Sequence, residues 1–281
     1  SPSAPSSADA TGEAADGEEA AALLATQDAT PESTSYPGSF TRFDWPATYR
    51  KYPLSTVGKL FFTQNGTNYV CSASVINKDR IFTAGHCVHA GNNQNGGWST
   101  NMQFCPSYKN GVNAAVGCWS IVQLATSSAW FSSSDFDRDW GGGKVSTCGS
   151  VNCTSVGNVT GWLGYAWNWN NEHVFDFGYP QAAPFNGKKI VTCAGEVSYR
   201  ADMGAGADSK YIGCDMTGGS SGGPWIFAFG SSNWLDGVNS HKRCTQAGCP
   251  AGTVLDLEMG SPPFTNEAGG SNDFMTYLFN L

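Results

Sequence analysis

Residues 214–225 read CDMTGGSSGGPW, two adjacent serines set among four glycines. Glycine and serine clusters are ordinary turn material, so the middle of this stretch says little by itself. Its flanks say more. Cys214 and Asp215 lead in, Pro224 and Trp225 lead out, and the apolar run WIFAF (225–229) follows. That order predicts a tight glycine loop feeding straight into a strand. A serine at the tip of such a loop is exposed, and the N–H groups of its neighbours can converge on one point. Those are the requirements of a serine nucleophile with an oxyanion hole. The stretch leaves open which serine is the nucleophile, and it supplies no base.

A base is offered by IFTAGHCVHAG, residues 81–91. An apolar strand ends in Thr83-Ala84-Gly85, and His86-Cys87 follows. The small residues ahead of His86 leave room on one side of its ring. His89, two residues from Cys87, is the nearest competitor. Cys71 lies one predicted strand upstream, so a Cys71–Cys87 disulfide would staple the two strands behind His86, worth ~2–4 kcal/mol.

Composition narrows the class. The 281 residues carry 15 Lys and Arg against 23 Asp and Glu, a net charge of −8. No basic cluster is present to neutralise phosphates, which argues against a nucleic-acid partner. No run is long and apolar enough to cross a membrane as a helix. Ten cysteines are an even number, several close in sequence: Cys105/Cys118, Cys148/Cys153 and Cys244/Cys249. Sequons stand at Asn65, Asn152 and Asn158. Together these predict an oxidising, extracellular setting. The Cys pairs lack zinc-ribbon spacing and only four His are present, so no metal is expected. No charged-then-apolar leader opens the sequence; a secretory leader is expected to have been removed already.

Residues 1–35 are rich in Ala, Ser, Glu and Asp and lack aromatics, so they cannot bury enough surface to order themselves. A propeptide or linker is expected there. Tyr36 to Pro53 is transitional, with aromatics and prolines that could lie over a folded body. From Ser55 the texture changes to short apolar runs separated by turn residues. TVGKLFFTQNGTNYVCSASVI (56–76) reads as a hairpin turning at Asn65-Gly66. Runs such as WSIVQLA, HVFDFGYP, KKIVTCAGEVSY and TVLDLEM continue to SNDFMTYLFNL (271–281), the one segment with helical periodicity. Many short strands with glycine-rich turns predict an all-β sandwich or barrel.

The motifs carry a resemblance. TAGHC resembles the histidine motif of the chymotrypsin-like serine peptidases, and GSSGGP resembles their nucleophile motif, usually G-D-S-G-G-P. The likeness spans residues 55–281. DMTGGSSGGP and FDFGYPQAAPFNGKK resemble the bacterial glutamyl-endopeptidase-like branch. The resemblance implies two antiparallel β-barrels with the active site in the cleft between them. The expected division is an acidic leader at 1–50, an N-terminal barrel at 51–155 and a C-terminal barrel at 156–281. It also implies a secreted, monomeric zymogen-derived endopeptidase that needs no cofactor and acts on proteins or peptides.

By the same resemblance the triad is His86, Asp139 and Ser221, with the oxyanion hole made by the N–H groups of Gly219 and Ser221. Asp139 is preferred because Trp140-Gly141 follow it into a strand; Asp137 is the fallback, and Asp135 a solvated neighbour. Ser220 stands where trypsin-type enzymes keep an aspartate that pairs with a newly cut N-terminus, and a serine cannot make that ion pair. LDGVNSH (235–241) resembles the strand that pairs with substrate backbone. Asp215, Thr217, Asn239 and Ser240 are the expected substrate-binding residues. Thr217 and Ser240 are expected to offer hydroxyl donors to a carboxylate, giving a preference for an acidic or polar residue before the scissile bond. The alternatives are basic specificity through Asp215, an inactive protein on this fold, or carbohydrate binding through the aromatics of GWLGYAWNWNNEH (161–173).

Overall fold

A computed structural model describes residues 30–31, 39–45, 48–169, 173–199, 208–244 and 254–281. Its first unit is a closed barrel. The strands are β3 (Val57–Gln64), β4 (Thr67–Asn77), β5 (Arg80–Ala84), β6 (Thr100–Pro106), β7 (Trp119–Thr126) and β8 (Trp140–Val145), joined in the order β3-β4-β5-β8-β7-β6. The β3–β4 hairpin turns at Asn65 and Gly66, whose φ values are +49° and +78°. Asparagine and glycine tolerate that backbone, and its twist matches the flanking strands. The alternation that predicted the hairpin packs Leu60, Phe62, Cys71, Ala73 and Val75 inward beside Phe104 and Trp119.

The second unit is built from two sheets. One contains β1 (Thr30–Pro31), β2 (Phe40–Asp44), β9 (Gly164–Tyr165), β10 (His173–Gly178), β11 (Val191–Glu196), β14 (Pro224–Phe227) and β15 (Trp234–Val238), ordered β1-β2-β11-β10-β14-β15-β9. The other contains β12 (Ser198–Tyr199), β13 (Lys210–Gly213), β16 (His241–Cys244) and β17 (Val254–Ser261), ordered β12-β13-β17-β16. Among the described residues the hydrogen bonding does not close into one ring as it does in the first unit. The two sheets share one core of Val174, Cys193, Ile212, Trp225 and Met259. This is the chymotrypsin-like double-barrel arrangement.

The expected leader, 1–50, does not end where the fold begins. Strand β2 pairs with β11 in register Thr41↔Ala194 and Arg42↔Cys193. Phe40 and Trp45 are buried, and Trp45 Nε1 donates to Thr192 Oγ1 at 2.7 Å. The alternation in FTRFD supplies an ordinary strand, and burial of its flanking aromatics fixes it in the second unit. Residues 1–29 and 32–38, where most of the leader falls, lie outside the described residues.

A third core joins the units. Val57, Phe82 and Trp140 of the barrel pack with Phe177, Tyr179, Ile226 and Val238 of the second unit and with Phe274, Met275 and Leu278 of the C-terminal helix, Ser271–Phe279. The cysteines pair as Cys71–Cys87, Cys105–Cys118, Cys148–Cys153 and Cys193–Cys214. Cys249 lies outside the described residues.

Arg80 fastens the C-terminal helix to the barrel. Its Nε donates to Leu278 O at 2.8 Å, and Nη2 donates to Leu281 O at 2.6 Å. Arg80→Ala should therefore cost on the order of 3 kcal/mol, since bonds from a charged donor are worth about 1.5–3 kcal/mol each and the freed carbonyls regain water. Denaturant unfolding followed by tryptophan fluorescence checks this; an unchanged midpoint would show that the helix docks by its apolar face alone.

Candidate active site

The site is assembled where β5 and β8 run side by side. Ala84 of β5 pairs with Trp140 of β8, which sets the residue before β8 against the turn after β5. That turn, Gly85–Cys87, is a single 3-10 turn. Gly85 N donates to Asp139 O at 3.1 Å. A Cβ on Gly85 would stand 2.8 Å from both Thr126 Oγ1 and Trp130 Cγ and 2.9 Å from Asp139 Oδ1. The small residue ahead of His86 thus lets Asp139 approach the histidine from behind.

Asp139 is fully buried and held by three donors. His86 N donates to Oδ1 at 2.8 Å, His86 Nδ1 lies 2.8 Å from Oδ2, and Ser240 Oγ donates to Oδ2 at 2.5 Å. An acceptor facing Nδ1 places the neutral ring's proton there and leaves Nε2 as the basic nitrogen. Burial is the largest influence on the His86 pKa and works to lower it. The Asp139 charge and hydrogen bond together outweigh burial, so the pKa is raised above its ordinary value.

The other two aspartates have different work. Asp135 Oδ1 accepts from Asp137 N at 2.9 Å and caps the turn Phe136–Arg138. Asp137 accepts from Asp208 N and Ser209 Oγ, at 3.1 and 3.0 Å, and ties down a loop of the second unit. His89 is buried against the Trp98 and Phe131 rings, and its Nδ1 accepts from Gly91 N at 2.9 Å. It is a packed core histidine.

The glycine loop comes from the second unit and is pinned to the first by one residue absent from the sequence-based candidates, Ser72. Ser72 N donates to Ser221 O at 2.7 Å, and Ser72 Oγ donates to Gly219 O at 2.9 Å while accepting from Tyr179 N at 2.9 Å. Its one sequence signal is position: it follows Cys71 as a polar residue among the alternating residues of β4. The Cys87 sulfur lies 3.8 Å from Ser221 O, so the Cys71–Cys87 bridge backs both the histidine turn and the serine. Gly222 sits at φ +78°, and a Cβ there would lie 1.9 Å from Thr83 Oγ1. No side chain fits between this loop and the end of β5.

The two serines differ. Ser220 is buried, and its hydroxyl donates to Thr217 O at 2.9 Å. Ser221 is half-exposed. Ser220 N, Gly222 N and Gly223 N bond Thr217 O, Asn239 O and Ser220 O. The N–H groups of Gly219 and Ser221 donate to no other described residue.

Three expected substrate-binding residues have their donors engaged elsewhere. Asn239 is buried: Nδ2 donates to Ser220 O at 3.2 Å, and Oδ1 accepts from Trp225 Nε1 at 2.9 Å. It supports the loop from behind. The Ser240 proton goes to Asp139, and the Thr217 hydroxyl donates to Ala182 O at 3.0 Å. Neither hydroxyl is left to donate to a substrate carboxylate as expected. Sequence shows that a hydroxyl is present, but the partner that takes its proton is set by chain segments far away. Asp215 forms an ion pair with Arg42 of β2.

Two clusters place three potential metal ligands within 4.8 Å, Cys71–His86–Cys87 and Asp176–Cys193–Cys214. In each, both cysteines are joined in a disulfide. A metal-binding cysteine is a thiolate, and these sulfurs are not.

Comparison with known proteins agrees with this architecture. The trypsin family model matches residues 48–111, the stretch holding Cys71, His86 and Cys87. A thermostable serine protease from an extremophilic microorganism is 32% identical, with 80% of this chain and 96% of that chain covered and a TM-score of 0.66. Protease Anisep from Arthrobacter nicotinovorans is 31% identical, with coverages of 76% and 92% and a TM-score of 0.64. A Glu endopeptidase, 19% identical with a TM-score of 0.64 and coverages of 85% and 97%, shows the fold. An extracellular metalloprotease of Bacillus subtilis (strain 168) is 29% identical over 130 residues, 45% of this chain, and the match spans 35% of that protein's length. The chain belongs to the trypsin-family, chymotrypsin-like serine proteases.

Because Asp139 is what raises the His86 pKa, Asp139→Asn should lower it. The sign follows from linkage. A histidine with a raised folded-state pKa contributes stability below its unfolded value, about 6.5, and loses it as pH rises through the folded value. In Asp139→Asn that acid-side contribution should shrink and the imidazole titration should move to lower pH. NMR of the ring protons measures the midpoint directly; an unmoved midpoint would mean that Asp139 does not govern His86.

Proposed function

We propose that this chain is a secreted endopeptidase that hydrolyses proteins or peptides through Ser221, His86 and Asp139. Ser221 Oγ attacks the scissile carbonyl as His86 Nε2 takes its proton, and the C–N bond breaks as that proton passes to the leaving amine. Water, deprotonated by the same nitrogen, then releases the acyl group. Asp139 holds the ring in the productive tautomer. The N–H groups of Gly219 and Ser221 bind the oxyanion, each worth ~3 kcal/mol in the transition state.

The observation that carries this reading is the pairing of a half-exposed serine and a buried one. Ser221 is held through its carbonyl by Ser72 N and lies 3.8 Å from the Cys87 sulfur of the His86 turn, while Ser220 is turned inward onto Thr217 O. The two unengaged N–H groups on either side of Ser220 are the oxyanion donors this chemistry needs. The segment from Ser240 to Lys242 would pair with the substrate backbone. The acidic stretch ahead of residue 30 would serve as a propeptide. The four disulfides suit an oxidising, extracellular destination. The residue before the scissile bond would be acidic or polar.

Ser221→Ala should lower peptide and ester turnover on the order of 10⁴-fold or more and abolish labelling by a fluorophosphonate. Ser220→Ala should keep the label and much of the turnover. Labelling that persists in Ser221→Ala, or that maps to Ser220, would overturn the assignment.

A further inference from the structure

The loop carrying Ser221 begins at Asp215, and the strand that follows Ser240 continues through His241 to Lys242. Lys242 joins these two segments. Lys242 Nζ donates to Cys214 O at 2.9 Å and to Asp256 O at 2.7 Å, bolting the strand to the root of the loop. An ammonium has three donors. Among the described residues two are engaged, both by backbone carbonyls, which leaves one N–H without a partner.

Asp215 is reached from the other side. Arg42 stands on β2 opposite Cys193, the half-cystine bridged to Cys214. Its Nη1 donates to Asp215 Oδ2, and its guanidinium lies 5.2 Å over the Phe185 ring. The Asp215 side chain is 14% exposed and that of Arg42 26%. Two neighbouring pairs are matched off, Glu258 by Arg243 Nε at 2.5 Å and Lys210 by Asp236, while the Asp256 carboxylate, on the residue whose main-chain oxygen Lys242 bonds, adds its charge nearby. Asp176 is buried, and that burial holds its pKa well above the carboxylate range. Among the described residues Lys242 thus has no carboxylate in direct contact; burial lowers its pKa to about 8, against the raising charges of Asp176, Asp215, Asp256 and Glu258.

We propose that Arg42 fixes the side-chain preference of the site: it holds Asp215 in an ion pair that a substrate lysine or arginine cannot use, and it leaves Lys242 to meet an acidic side chain ahead of the scissile bond. This rests on the assignment of Ser221 as the nucleophile and replaces the donors that Thr217, Asn239 and Ser240 do not provide. A free carboxylate at position 215 would attract a cation strongly, since bonds between charged partners are roughly twice as strong as neutral ones. Arg42 supplies that cation from within the chain. The residue that reverses the meaning of Asp215 lies 173 positions away, on a strand ahead of the first barrel.

The first test needs no turnover. Benzamidine, an amidinium, is titrated calorimetrically into Ser221→Ala protein with Arg42 intact, with Arg42→Met, with Arg42→Lys, and with Arg42→Met plus Asp215→Asn. Arg42→Met should bind benzamidine roughly tenfold or more tighter than the parent. Arg42→Lys should resemble the parent, and adding Asp215→Asn should cancel the gain. Arg42→Gln serves if Arg42→Met does not fold, as judged by thermal unfolding. Equal benzamidine affinity in the parent and a folded Arg42→Met would overturn the proposal.

The second arm uses the active protein and matched peptides with Glu, Gln, Lys or Ala before the scissile bond. The protein should favour Glu over Lys, and Lys242→Met should erase the preference for Glu over Gln. A parent that favours Lys, or a Lys242→Met variant that keeps the Glu preference, would also overturn it. Absence of fluorophosphonate labelling at Ser221 would instead sink the catalytic reading, and the benzamidine result would stand apart from it.

Discussion

The arrangement depends on one buried carboxylate. Asp139 is removed from water, and an isolated ion there would cost several kcal/mol even after relaxation. It is tolerated because its oxygens are met by the His86 N–H, the His86 ring and the Ser240 hydroxyl. Two of those donors belong to the first unit and one to the second. Asp139 is therefore satisfied only when the units are docked, and the docking that satisfies it also aims the histidine. The same group joins the units and orients the His86 ring.

Ser240 extends this coupling. Its hydroxyl gives its proton to Asp139 and lies 2.9 Å from His241 Nδ1, whose Nε2 is 3.1 Å from the Tyr211 hydroxyl. A consistent direction of donation runs Tyr211 to His241 to Ser240 to Asp139. Chains of this kind polarise one another in a low-dielectric setting. On the opposite side, Ser72 performs the complementary task, with the barrel donating to two carbonyls of the second unit's loop. The loop and the histidine are thus referenced to the same barrel edge, β4 and β5, which the Cys71–Cys87 bridge holds together.

Local chemistry made part of this legible in the sequence. Asn65-Gly66 named a hairpin because few residues accept positive φ. TAGHC and GSSGGP named a histidine turn and a glycine loop because each needs small residues for backbone contact. Gly85 and Gly222 show those contacts directly: a Cβ at either would collide with its neighbours. The choice of Asp139 over Asp137 comes from the resemblance, which sets the aspartate just ahead of an aromatic and a small residue entering a strand. What stayed hidden was set by distant partners. Nothing near Arg42 in the chain mentions Asp215, and Lys242 reads as a surface lysine until β17 lies beside it. Thr217, Asn239 and Ser240 were recognisable as polar, but the groups receiving their protons come from other strands. The two-residue strands β1, β9 and β12 have no pattern of their own and exist because a neighbour offers hydrogen bonds.

The answer to the paired serines lies in how the loop keeps its shape. An aspartate at position 220 would be a buried charge requiring a cation, and an enzyme built that way can withhold the cation until it is processed. Ser220 requires only an acceptor, and Thr217 O, three residues back, provides it. Ser72 and Asn239 hold the rest of the loop through neutral hydrogen bonds to Gly219 O and Ser220 O. Every one of these partners lies within the two folded units, so the shape of the glycine loop is set by their docking. The N-terminal segment enters the site elsewhere, through Arg42 at Asp215. Under the proposal made for Arg42, this segment governs which side chain is accepted, while neutral hydrogen bonds with Ser72, Asn239 and Thr217 O hold the glycine loop.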